Sequence, residues 1–96
     1  MDIVVRDNPV IGQDQARLGI TWSGQYGELP DTVAYASADG DIFQFATEAV
    51  RGGDVPGIRA DVGVNFRDFV VERFVATADR PYNLIQLRPK TPFGVW

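Results

Sequence analysis

The chain has 96 residues, 45% of them hydrophobic and 11% aromatic, with a formal charge of −4 and a pI near 4.5; this fits one domain with a modest core. It contains no cysteine and no histidine. That excludes disulfides, thiolate nucleophiles, cysteine–zinc sites and iron–sulfur clusters, and removes the commonest general base and metal ligand.

The nine basic residues are scattered from Arg6 to Lys90 without a run, and all but Lys90 are arginine. A phosphate-binding surface needs clustered cations, so nucleic acid is not an expected partner. The start Met1-Asp2-Ile3 has no basic region leading into an apolar stretch, and no apolar run approaches the length of a membrane span. The expectation is a cytoplasmic protein without a membrane partner, cofactor or bound metal.

Taken in chain order, Asp2–Arg6 has the composition of a short strand and Asp7-Asn8-Pro9 that of a turn, followed by a connecting loop over Val10–Gln15. Arg17–Trp22 alternates, with Leu18, Ile20 and Trp22 on one face, the period of a half-buried strand. Ser23–Gly27 reads as a turn, and Asp31–Ala36 as the second strand of a hairpin with Val33 and Tyr35 on one side.

Ile42, Phe45, Ala46, Ala49 and Val50 recur at helical spacing and predict an amphipathic helix over residues 41–51 with Phe45 in the core. Phe43, off the stripe, is expected to be exposed, with Trp22 and Tyr26 as further members of a possible aromatic patch. Asp39 or Asp41 is the expected N-cap, with Asp41 and Gln44 at capping-box spacing, and Gly52-Gly53 the C-terminal stop. Val55, Pro56 and Ile58 are expected to fold back over the open end of the core.

Phe66, Phe69, Val70 and Phe74 have helical spacing, yet Phe69–Val75 is β-branched and aromatic enough for a strand. The favoured reading is a short helical turn near Asn65–Asp68, capped by Asn65, leading into a strand. Asp79-Arg80-Pro81 is a turn. Asn83–Arg88 is the last strand, with Ile85 and Leu87 facing inward and Pro89 stopping it.

Hairpin, helix, strand, strand is the order of an α+β domain: a mixed sheet with one main helix packed on one face, of which the β-grasp arrangement is the most compact version at this length. Four stretches carry a resemblance to the ubiquitin-like (β-grasp) family. They are Ser37–Ile42 at the helix entry, Gly52–Ile58 at its exit, Phe66–Phe69 as the turn before the final strand, and Asn83–Arg88 as that final strand. The chain resembles that family over roughly residues 16–94. It departs from the family in an N-terminal extension (1–15), in the region of the third strand, and in a tail that ends in Phe93-Gly94, followed by Val95-Trp96, where the family has a double glycine. The resemblance implies a domain over 16–88, an extended tail over 89–96 and a divergent, bacterial-type member.

By that resemblance Gly94 is the residue activated at its carboxylate, and Val95 and Trp96 are a cap removed by a peptidase. Arg88, Pro89, Lys90, Thr91, Pro92 and Phe93 form the tail that an activating enzyme reads before transfer to protein targets. The two prolines favour an extended shape, and a glycine leaves its carbonyl open to approach. A variant of the same reading is a sulfur carrier, and a separate alternative is a non-conjugated binding module in which Trp96 is an anchor. Catalysis by this chain is not expected: Asp39 and Asp41 suit a helix start better than an acid–base pair, Gly52-Gly53 ends a helix where an anion loop precedes one, and Asp54 and Asp61 are too sparse for a calcium loop.

Overall fold

The computed structural model describes residues 14–90. The elements in order are β1 (Gln15–Trp22), β2 (Gln25–Glu28), β3 (Val33–Ala34), α1 (Asp39–Gly52), β4 (Phe69–Phe74) and β5 (Asn83–Pro89). They form a small α+β domain with one helix and a mixed sheet of five strands. The sheet runs β2-β1-β5-β4, with β3 pairing β1 as well. Residues 2–6, 7–9 and 10–13, read above as strand, turn and loop, lie outside the described residues.

The alternation in β1 explains why it is central. Ala16, Leu18 and Ile20 are fully buried on one face. Parallel pairing sets Leu18 opposite Ile85 and Ile20 opposite Leu87, so two apolar rows lie side by side. Ile42, Ala46, Ala49 and Val50 of α1 complete one core with them. A strand bordered on both edges and covered on one face has few polar positions to spare on that face, which is why apolar residues recur there in β1 and β5.

The hairpin differs from expectation. The partner of β1 is β2, whose first three residues fall in the stretch read as a turn, while Asp31–Ala36 supplies only the two residues of β3. The turn itself is only Ser23-Gly24, with φ of 54° and 77°, which suits the right-handed twist of a tight hairpin. β2 hides from a periodicity search because its helix-side positions are Gln25 and Gly27, neither of them apolar and bulky. A Cβ on Gly27 would lie 2.0 Å from the Pro56 carbonyl oxygen. Its other face carries Tyr26 and Glu28. β1 begins at Gln15, one residue inside the expected extension and loop.

The helix also starts differently. Ala38 is the N-cap, with no side-chain cap, so neither Asp39 nor Asp41 caps it and the capping box is not formed. Asp39 instead accepts from Arg73 Nη1 at 2.8 Å, and the same guanidinium donates to the Ser37 carbonyl. A cation from a neighbouring strand thereby orders the entry that a cap residue was expected to order. The stop is as expected: Gly53 sits at φ 72°, and Asp54 N–H reaches the Ala49 carbonyl at 2.9 Å.

The roles of the helix phenylalanines are reversed. Phe45 is 39% exposed, whereas Phe43 is half-buried and packed against the core. Beyond the helix, Val55 and Ile58 are buried as expected but Pro56 is exposed. Residues 65–68 make a turn and no helix: Asn65 Oδ1 accepts from Arg67 N–H, and Phe69 N–H bonds the Phe66 carbonyl. Asn side chains readily close such local rings, which compete with helix nucleation. Phe66 is 5% exposed and stacks edge-on with Trp22 and Phe69, at centroid distances of 5.3 and 4.9 Å.

Candidate functional site

The expected site begins where β5 ends. Antiparallel pairing sets Phe69 opposite Pro89 and Val70 opposite Arg88. Arg88 and Glu72 therefore sit diagonally on the sheet face away from α1. Arg88 Nε donates to Glu72 Oε1 at 2.8 Å and Nη2 donates to Oε2 at 2.7 Å, a two-pronged pairing whose geometry suits a guanidinium and a carboxylate. Nη1 also reaches the Pro89 carbonyl at 3.3 Å. The hydrogen bonds from Arg88 hold the Glu72 carboxyl below the usual range, and those same bonds raise the arginine.

Pro89 is the last strand residue and has no N–H to offer a ladder. The next residue restores the tether: Lys90 N–H donates to the Asp68 carbonyl at 2.9 Å. The root of the tail is thus bound at two places, to Glu72 within β4 and to Asp68 just before it. Arg88, Pro89 and Lys90 are brought together here. Thr91, Pro92, Phe93, Gly94, Val95 and Trp96 lie outside the described residues.

Glu72 and Asp68 are the members of this root that sequence reading missed. Nothing in Val70-Val71-Glu72-Arg73 marks Glu72 as a partner of Arg88; only the register of β4 on β5 does so. The chemistry available at the root is mechanical. It fixes where β5 ends against β4.

The aromatic patch is not formed. Trp22 lies on the helix side of the sheet with Phe66 and Phe69, Tyr26 belongs to the opposite face, and Phe43 packs on the core. Trp22 has a polar partner, donating its indole N–H to Asp61 Oδ2 at 2.9 Å. Asp61 Oδ1 accepts from the Gly63 amide. The indole first, and then that amide, hold Asp61 below its ordinary value. On the open face Tyr26 donates to Glu28 at 3.2 Å, and burial, then the charge of Glu28, raises its phenol.

Among the described residues no cluster of three or more carboxylates is placed to hold a metal ion, and no helix is long and apolar enough to cross a membrane. Compared with protein-family models, curated proteins and solved structures, the chain matches none.

Proposed function

We propose that this chain is a ubiquitin-like protein of the β-grasp type, a modifier or carrier that a partner enzyme activates at Gly94. The carrying observation is the position of β5. It is a central strand, parallel to β1, and its end is tied to β4 by Arg88–Glu72 and by Lys90–Asp68. A tail launched from the middle of the sheet has a defined origin, which an activating enzyme needs in order to read the body and the tail together. The strand order β2-β1-β5-β4 with a helix between β3 and β4 supports the β-grasp reading.

In this reading a peptidase cuts after Gly94. The freed carboxylate attacks the α-phosphorus of ATP, pyrophosphate leaves, and the acyl adenylate passes to a thiol of the activating enzyme with release of AMP. All catalytic groups belong to the partner, in keeping with a chain without histidine or cysteine. The compartment proposed is the cytoplasm, and the end products are adducts on protein targets or, for a sulfur carrier, a thiocarboxylate on Gly94.

The test compares three proteins in lysate of the source organism with ATP: the 96-residue chain, a chain ending at Gly94, and that shorter chain with Gly94→Ala. Intact-mass analysis should show covalent adducts on the chain ending at Gly94 and none on its alanine variant. If the chain ending at Gly94 stays unmodified, the modifier reading fails and a plain binding module takes its place.

A further inference from the structure

The apolar stripe of α1 is not used up by the core. Ile42, Ala46, Ala49 and Val50 are buried, but Phe45, on the same stripe, remains 39% exposed. It stands in the wall of an open groove of about 660 Å³ between α1 and the segment from Leu29 to Ala34. Leu29, Val33 and Ala49 add apolar lining, while Asp31, Glu48 and Asp54 add carboxylates, and no lysine or arginine among the described residues lines it.

Among the described residues no cation pairs with these carboxylates. The ion pairs among the described residues are Arg17–Glu28, Arg73–Asp39 and Arg88–Glu72, none of which involves Asp31, Glu48 or Asp54. Glu48 accepts a hydrogen bond from the neutral amide of Gln44 at 3.3 Å.

We propose that this groove docks a short basic segment of a partner protein, with an apolar side chain laid on Phe45 and arginine or lysine set against Asp31, Glu48 and Asp54. Charge complementarity selects this occupant. An acidic segment or a nucleic acid would meet like charge, and a purely apolar one would leave the carboxylates beside a dried surface without partners. The volume lies within the ordinary range of about 300–1,000 Å³ for built sites, room for a few side chains and not for a folded domain. This surface lies on residues distinct from the tail root, so it stands or falls independently of activation at Gly94.

The test titrates the 15N-labelled 96-residue chain with an acetylated, amidated five-residue peptide of alternating arginine and leucine. The control peptides carry serine for leucine or glutamate for arginine. The arginine–leucine peptide should give saturable shifts centred on Leu29–Ala34, Phe45, Glu48 and Asp54, and the controls should not. Phe45→Ala and the double variant Glu48→Lys, Asp54→Lys sit at exposed positions, so dispersed spectra should show both folded. Each should weaken binding on the order of tenfold. Raising NaCl from about 0.05 to about 0.5 M should weaken it as well, because the charges are at the surface. Shifts spread over the whole acidic surface, shifts centred on the open sheet face, equal binding of the serine peptide, or unchanged affinity in either variant would overturn the proposal.

Discussion

Individual side chains differ sharply in how much of the fold depends on them, and the phenylalanines show it. Phe66 is buried in the ring cluster with Trp22 and Phe69. Phe66→Ala should lower stability by about 3–5 kcal/mol, the range for truncating a buried aromatic. Phe45→Ala removes a ring that is 39% exposed, so its loss should stay below about 1.5 kcal/mol on area grounds. Urea denaturation of the two variants checks the order, and equal losses would contradict the assignment of Phe45 to the groove wall. Asp61 offers a pH readout at the same scale. Its folded value lies below the ordinary 3.8 because the Trp22 indole donates to it. The resulting stabilisation is fully present above the unfolded value and is lost as pH falls through the lower, folded value. Trp22 emission, followed in a Trp96→Phe background, should therefore titrate below pH 3.8 in the folded protein, and Asp61→Asn should abolish that step. Phe45 also shows a limit of sequence reading: its spacing places it on the apolar stripe, but whether a stripe residue meets the sheet or a groove depends on the tilt of the helix against residues distant in sequence.

The secondary-structure elements are joined by a few side chains that cross between them. Arg73, on edge strand β4, holds the entry of α1 through Asp39 and the Ser37 carbonyl. Arg73→Ala should cost about 1–2 kcal/mol, in the range of charge-assisted hydrogen bonds partly open to water. Thermal unfolding would show this, and hydrogen exchange should speed up most in the first turn of the helix. No loss on Arg73→Ala would mean that the helix entry orders itself. Asn83 makes a corresponding link at the other end: buried, it donates to the Gln15 carbonyl at 3.1 Å and accepts from Ala76 N–H at 2.8 Å, fastening β1 to the loop before β5. The helix stop at Gly53 was legible because two adjacent glycines after an apolar stripe leave little else for the chain to do. The start was not, because its ordering cation comes from 34 positions away.

For the molecule as a whole, stability centres on the parallel pair β1–β5. Leu18, Ile20, Ile85 and Leu87 are each fully buried and lie in two facing rows. Amides of these two strands should exchange slowest and through global unfolding, while those of the two-residue β3 and the outer edge of β4 should exchange by local opening. Hydrogen exchange followed by NMR across a range of denaturant measures this. If β4 exchanged as slowly as β5, the sheet would have no weak edge. The central pair joins segments near both ends of the described chain, so its formation closes a long loop and should make folding slow for a domain of this size.

What the sequence by itself determined is local: the alternation that makes β1 and β5 strands, the α1 stripe, the glycine stop, and the exclusion of chemistry that needs histidine or cysteine. Each follows from the periodicity or type of neighbouring residues. Tertiary structure alone decided the rest. The pairing of β2 follows from a two-residue turn and from a glycine that must admit the backbone of Pro56. The Arg88–Glu72 clamp follows from the register of β4 on β5. The acidic groove around Phe45 follows from bringing the 29–34 segment beside the helix. These are contacts between residues far apart in the chain. Hydrophobic period carries no record of them, because it reports which face of an element is apolar and not what that face will meet.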